Sequence, residues 1–251
     1  ALMRRLVILN PQGRNGKAAK AFAGLEAGLQ KRWGDFEVYR TKGPGDASNR
    51  VRSIIKEGAI DQIVAAGGDG TVNEVVNGYF DGDELLTGEI PLGIINLGTG
   101  GDFFKTVQEC SADYDLSLDE NRSEKIDAGV VHFGGASHHF LNISSAGLAG
   151  DMLRRLKKSK FQAGAVAYFY HTLNTLLRYD PVSIQLDTVA PDGSCESREV
   201  DLINLFVCNG KYSGGGMKWA PESELQSGHF TLTLISGRRK LPLITHSPKL
   251  Y

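Results

Sequence analysis

The sequence predicts an α/β domain on a mostly parallel sheet, followed by a β-rich second half. Three observations predict it. Strand-length apolar runs alternate with helical spacings from Arg5 to Val107, the order that gives parallel strands with helical crossovers. Three glycine-rich loops each follow one of those runs. After about Asn121 the pattern changes to short, partly alternating apolar runs with little helix between them. Two domains are therefore expected, at 3–121 and 122–251.

Taken in order, Arg5–Leu9 reads as the first strand, and Asn10-Pro11-Gln12-Gly13-Arg14-Asn15-Gly16-Lys17 as its turn-rich exit. Ala18–Gln30 carries helical spacing through Phe22, Leu25 and Leu29. The exit is not a Walker loop: two residues, not four, separate the glycines, and Ala18 stands where Ser or Thr is required. Phe36–Arg40 is a second strand, Thr41–Asp46 a loop and Ala47–Lys56 a helix. Ile63–Ala66 is a buried strand, broken by Gly67-Gly68-Asp69-Gly70. Thr71 with Glu74 three residues later has the spacing of a capping box, Val75 and Val76 give the helix an apolar side, and Gly78 stops it. Asp81–Glu89 is a polar loop. Pro91–Ile95 is a strand feeding Leu97-Gly98-Thr99-Gly100-Gly101-Asp102, and Phe103 opens a helix. No glycine loop fits the dinucleotide fingerprint. In the second half, Ile126–Phe133, His139–Ile143, Val182–Leu186, Val200–Cys208 and Phe230–Ile235 read as strands, and Asp151–Arg178 as helical.

The loops carry the chemistry. Glycine lets backbone approach a ligand closely, and a helix start offers unpaired N–H groups and partial positive charge. A strand, a glycine turn and a helix start together make a phosphate cradle. In a parallel sheet such loops share the carboxyl edge of the strands, so three of them converge on one crevice. Asp69 is the odd element, since an anion beside phosphate is repelled. It has a purpose if it faces Mg²⁺ or the hydroxyl to be phosphorylated; a turn whose Asp bonds its own backbone is the simpler alternative.

Composition excludes several classes. The net charge of −1 provides no global basic field for nucleic acid. Cys110, Cys195 and Cys208 are far apart with no CxxC, the usage of free thiols in a reducing compartment. No apolar run reaches the length of a membrane span, and Leu6–Leu9 is too short for a secretory leader. A cytoplasmic location is expected. The histidines have no metal-ligand spacing, and no G-x-S-x-G elbow is present. Arg154, Arg155, Lys157, Lys158 and Lys160, followed by Phe161, Tyr168, Phe169 and Tyr170, are open to two readings: a solvated face beside a packed one, or a site for anionic lipid head groups.

Gly67-Gly68-Asp69-Gly70-Thr71-Val72-Asn73-Glu74-Val75-Val76-Asn77-Gly78 closely resembles the nucleotide-binding signature of the diacylglycerol/sphingosine lipid kinase family, in its bacterial diacylglycerol kinase-like form. Asn10-Pro11 and the glycines after it resemble the family's opening loop, Thr41–Ala47 its T-x-x-P-G-D-A segment, and Gly98–Phe103 its G-T-G-N-D-F loop. Phe140-Leu141-Asn142, Ser145-Ala146-Gly147 and Gly214–Pro221 are similar to its second-domain motifs. The resemblance implies an α/β nucleotide-binding domain followed by a β-sandwich-like domain, with the active site in the cleft between them. It implies transfer of the γ-phosphoryl group of ATP, aided by Mg²⁺, to a lipid hydroxyl, diacylglycerol-like or sphingoid. Nucleotide contacts are then expected from Asn10, Pro11, Gln12, Gly13, Arg14, Thr41, Gly67, Gly68, Asp69, Gly70, Thr71, Val72, Asn73, Gly98 and Thr99, with Asp69 positioning Mg²⁺ or the acceptor. The expected partner is a lipid at a membrane surface, reached peripherally at the inner face. A homodimer is left open, and no nucleic acid is expected.

Three departures from the family pattern stand out. Gly101 replaces the Asn of the third loop. Gln226-Ser227-Gly228 replaces a D-D-G whose second Asp helps hold a structural Mg²⁺ in bacterial relatives; Ser227 is a poor substitute for a carboxylate toward a hard cation, so that metal is expected to be weak or lost. The D-G-E segment whose acid is the proposed base is expected beyond Tyr251. Two rival readings follow: an NAD-kinase-like or sugar-phosphate kinase sharing the G-G-D-G turn, and a nucleotide-binding protein without catalysis.

Overall fold

A computed structural model describes residues 3–110, 123–158, 171 and 174–237. The expected domain division at 121/122 lies outside the described residues, as do Lys160, Phe161, Tyr168, Phe169 and Tyr170 of the basic-aromatic stretch. The first half alternates β1 (Arg5–Leu9), α1 (Lys17–Trp33), β2 (Glu37–Arg40), α2 (Asp46–Glu57), β3 (Gln62–Gly67) and α3 (Asp69–Asn77). A short hairpin of β4 (Phe80–Asp81) and β5 (Glu84–Leu85) occupies the expected polar loop, before β6 (Leu92–Asn96) and α4 (Asp102–Cys110).

The four long strands of this half form one parallel sheet in the order β2-β1-β3-β6. Its central strands are apolar on both faces, as parallel sheets under helices must be. Leu6, Ile8, Ile63 and Ala65 pack with Val51 and Ile54 of α2, Val72 and Val75 of α3 and Phe103 of α4. Val7, Leu9, Val64 and Ala66 face the other way, against Ala18, Phe22, Leu29 and Trp33 of α1. The chain winds one way from β1 to β2 and the other way to β3, which opens a crevice at the carboxyl ends of β1 and β3.

Three expectations are corrected. The run His139–Ile143 is not one strand, because strands cover Ala136–Phe140 and Ile143–Gly147 with Leu141-Asn142 between them. Helix α3 begins at Asp69, not Thr71, and its N-cap is Gly68 with no side-chain cap. The Thr71–Glu74 pair therefore forms no capping box, because the Gly68 carbonyl already accepts the Thr71 and Val72 N–H groups, at 2.9 and 3.1 Å. The helical stretch expected from Asp151 starts earlier, as α5 (Leu148–Lys158).

The second half opens with a hairpin, β7 (Gly129–Phe133) and β8 (Ala136–Phe140), then β9 (Ile143–Gly147) and α5. Its main sheet is antiparallel, β10 (Val182–Val189), β11 (Cys195–Cys208) and β14 (Thr231–Ser236), with β9 also on β11. A small hairpin of β12 (Tyr212–Ser213) and β13 (Met217–Lys218) is turned by Gly214-Gly215-Gly216. A separate core forms here around Phe206, Cys208 and Ala220, with Trp219 stacked on Phe206 at 4.1 Å. Burial raises the Cys208 thiol to about 12, so this buried cysteine is inert.

Polar side chains join the halves. Asn77, at the end of α3, donates to the His139 carbonyl and accepts its N–H, both at 2.9 Å. His139 stacks on Phe80 at 3.6 Å. Helix α4 is strapped to the β12–β13 hairpin: the Lys211 N–H donates to Thr106 Oγ1 at 3.1 Å, and Glu109 receives Tyr212 and Lys218. These bonds hold the Glu109 carboxyl below its ordinary range, the Tyr212 hydroxyl first among them.

Asn77→Ala removes two hydrogen bonds to a partly buried main chain. We expect a loss of about 2 kcal/mol, read as a lower denaturant midpoint at unchanged slope.

Candidate active site at the sheet edge

Four loops leave the carboxyl edge side by side, in the order set by the sheet. Asn10 joins the first to the third. It accepts the Gln12 N–H on Oδ1 (3.1 Å) and donates through Nδ2 to Thr71 Oγ1 (3.3 Å). Within the opening loop, Asn10 N–H donates to Ala66 and Gly13 N–H to the Asn10 carbonyl. Arg14 and Asn15 take left-handed angles (φ 53° and 55°) before Gly16 and α1. Most donors of this loop are thus engaged within the protein, so it shapes the crevice more than it lines it with free N–H groups.

The Gly67-Gly68 turn is packed too tightly for any side chain. A Cβ on Gly67 would fall 2.2 Å from Thr71 Oγ1, and one on Gly98 only 2.5 Å from the Gly68 Cα. The third and fourth loops therefore touch backbone to backbone, helped by Leu97 N–H donating to the Gly67 carbonyl at 2.8 Å. With the Thr71 and Val72 N–H groups bound to Gly68, Asp69 and Gly70 carry the open donors of the α3 start. Val72 is buried in the core, and its main-chain N–H, the group expected to meet phosphate, is bound to the Gly68 carbonyl. Asn73 is exposed and its carbonyl accepts the Asn77 amide. Thr99 is exposed in the fourth loop.

Asp69 is aimed away from the α3 donors. Its carboxylate accepts the Phe103 N–H on Oδ1 (2.9 Å) and the Asp102 N–H on Oδ2 (3.2 Å). It thereby caps α4, a favourable place for an anion. Asp102 lies beside it. A Cβ on Gly100 would sit 3.3 Å from Asp69 Oδ2 and 3.6 Å from Asp102 Oδ2, so both carboxylates border Gly100. Asp102 is buried (6% exposed) and its Oδ2 accepts the Gly215 N–H at 2.9 Å. Its Oδ1 is buried without a hydrogen-bond partner, with Lys105 Nζ 3.7 Å away. Sequence reasoning missed Asp102; its place in the G-T-G-N-D-F-like loop was the available signal.

A pocket of about 250 Å³ is lined by the opening loop, the Thr41–Pro44 loop, α2 and α3. Asn10, Gln12, Thr41 and Thr71, all candidate nucleotide contacts, line it together with Lys42, Gly43, Pro44, Ala47 and Glu74, which the expected set omitted. The Thr41–Ala47 motif pointed to four of these five. Asp46 fixes the loop from below: it accepts the Lys42 N–H at 2.7 Å and the Tyr39 hydroxyl at 2.9 Å. The Lys42 bond first, and the Tyr39 hydroxyl with it, lower the Asp46 carboxyl from its ordinary range.

Ser227 is in a tight turn, its hydroxyl sharing a proton between the carbonyls of Glu224 (3.0 Å) and His229 (2.9 Å). Asp127, also unforeseen, reaches this turn and accepts the Gly228 N–H at 2.7 Å. Among the described residues no three His, Cys, Asp or Glu side chains are grouped to hold a metal ion. No described helix is long and apolar enough to cross a membrane.

Comparison with known proteins gives a consistent result. Residues 4–131 match the diacylglycerol kinase catalytic domain family, and residues 142–251 match the YegS C-terminal NAD kinase beta sandwich-like domain. A Citrobacter koseri protein named "Probable lipid kinase YegS-like" is 28% identical over 251 residues, covering 95% of this chain and 76% of that protein. A diacylglycerol kinase of Bacillus subtilis is 29% identical over 239 residues, with 93% and 74% covered. The crystal structure of a diacylglycerol kinase from Bacillus anthracis has the same fold, with a TM-score of 0.67 at 23% identity over 98% of this chain and 78% of that one.

Gly98→Ala drives a Cβ into the Gly68 backbone. We expect a cost of about 1–3 kcal/mol, measured by thermal melting, whereas the same change at open Gly24 of α1 stabilises slightly.

Proposed function

The chain belongs to the diacylglycerol kinase catalytic-domain family, and from that premise we propose that it transfers the γ-phosphoryl group of ATP to the hydroxyl of a lipid, diacylglycerol-like or sphingoid. The observation that carries the reading is the junction at Gly100. Two carboxylates border it, and the open N–H groups of the α3 start belong to the same turn as one of them. Phosphoryl transfer needs mainly positioning and neutralisation of charge, and this junction offers both.

In this reading the Asp69 and Gly70 N–H groups hold phosphate oxygens at the positive end of α3. Asn10 and Thr71 fix the neighbouring wall, and the pocket lined by Thr41, Lys42 and Glu74 takes part of the nucleotide. Each Asp69 oxygen accepts one main-chain N–H and keeps a further acceptor site. That site can receive the acceptor hydroxyl's proton or orient it for in-line attack. The donor set also fits Mg²⁺: Asp69 retains free lone pairs, and Asp102 Oδ1 is a buried oxygen without a hydrogen-bond partner, both suited to a hard cation. When bound, that ion neutralises charge on the transferring phosphate. At the Ser227 turn the hydroxyl faces carbonyls already, which supports a weak or absent second metal. We place the enzyme at the cytoplasmic side of a membrane, bound peripherally to reach its lipid.

A second acceptor class is favoured by one specific observation, the match of residues 142–251 to an NAD kinase-like sandwich. A panel of diacylglycerol, sphingosine, NAD and sugar phosphates under labelled Mg-ATP separates the two. We expect label in a lipid; label in NAD alone overturns the lipid assignment, and ATP binding without transfer to any acceptor leaves the non-catalytic rival. Asp69→Asn should lower turnover by about a hundredfold or more while the Kd for Mg-ATP stays within a few-fold. Turnover equal to that of the unaltered protein would remove Asp69 from its role.

A further inference from the structure

Asn96 is the last residue of β6 and pairs with Gly67 across the sheet, so it stands on the same edge as the glycine turn. Its side chain is exposed. Oδ1 accepts the Gly98 N–H at 3.1 Å, and that bond settles which end of the amide is oxygen. Nδ2 is left with two hydrogens and, among the described residues, no protein acceptor. The amide also lies over Gly101. That glycine is left-handed (φ 63°), and a Cβ on it would fall 2.1 Å from Asn96 Nδ2 and 2.9 Å from Cγ. A side chain at 101 and the Asn96 amide therefore compete for one place.

We propose that Asn96 supplies the crevice with a neutral donor, its Nδ2 group, to a phosphoryl oxygen of the bound nucleotide, standing in for a side chain that Gly101 cannot carry. The proposal rests on the ATP reading above. Three features support it. The G-T-G-N-D-F pattern that this loop resembles has an Asn where this chain has Gly101, so an amide is missing at 101 and an amide is present in the space it would enter. Asn and Asp adopt a left-handed conformation most readily among side-chain-bearing residues, so backbone strain does not account for a glycine in place of Asn, whereas the Asn96 amide does. Finally, Nδ2 can only donate, and the ligand expected at this edge is rich in anionic acceptors.

A purely structural role is separable. As an Asx-type turn, Asn96 needs only Oδ1, and Asn96→Asp keeps that acceptor and its shape while removing the donor and adding charge. Mg-ATP binding is measured by calorimetric titration on the unaltered chain and on Asn96→Asp, Asn96→Ala, Gly101→Asn and Asn96→Ala/Gly101→Asn, each with a thermal melt. We expect Asn96→Asp to melt near the unaltered protein yet bind Mg-ATP about ten- to hundredfold more weakly. We expect Gly101→Asn alone to bind poorly, and the double variant to bind more tightly than either of its single parents. Unchanged affinity in Asn96→Asp, or a double variant no tighter than Asn96→Ala, overturns the proposal. An unaltered chain that fails to bind Mg-ATP overturns the kinase reading itself and this inference with it.

Discussion

The bond between the Asp69 carboxylate and the start of α4 is the constraint on which the rest depends. The partners are 33 and 34 residues apart in sequence, so the bond forms only once β3, β6 and the loops after them are in register. An acidic cap of this kind contributes on the order of 1 kcal/mol, modest for stability but decisive for direction. It orients α4, and α4 carries Asp102, Thr106 and Glu109, each of which meets the β12–β13 hairpin or its approach. The position of the second half relative to the glycine turn is therefore set in part through α4, whose start is held by the candidate catalytic acid, alongside the Asn77–His139 bonds at the end of α3.

Close backbone contact is what allows this arrangement. Gly68 and Gly98 touch, and Gly67 leaves room only for the Thr71 hydroxyl. With side chains at these positions the loops would separate, and Asp69 would no longer reach the Asp102 and Phe103 N–H groups. The opening loop contributes in a different way. Its N–H groups are largely engaged with its own carbonyls and with β3, and Asn10 acts as a joint to Thr71. The cradle is consequently centred on the α3 start.

Much of the fold was legible because burial on both faces of a parallel sheet leaves a simple mark. Leu6-Val7-Ile8-Leu9 and Ile63-Val64-Ala65-Ala66 are unbroken apolar runs, and each contributes alternate residues to two cores. The glycine turns were legible for the same local reason, since their contacts admit no side chain. The capping box was misread because Thr71 and Glu74 have the right spacing while the helix takes its first acceptor from the Gly68 carbonyl, a main-chain feature the sequence does not show. Asp69 could be singled out, but its partners could not, because they come from another loop. Asp102, Asp127 and Asn96 were missed for that same reason: each acquires meaning only when a neighbouring loop is in place.

Two helix starts meet this crevice, and they are treated differently. The start of α4 is filled by the protein's own anion, Asp69. The start of α3, in the same turn, keeps the Asp69 and Gly70 N–H groups open. A chain of net charge −1 has no general attraction for a polyanion, so recruitment has to be local. In the proposed reading, filling one helix start and leaving the other open does this: an anionic ligand would be drawn to α3, while the Asp69 carboxylate is held at the α4 start. In that reading the acid can still serve an acceptor hydroxyl, because each of its oxygens accepts only one main-chain N–H. An aspartate inside a proposed phosphate cradle is then no contradiction, because each anion has its own helix start.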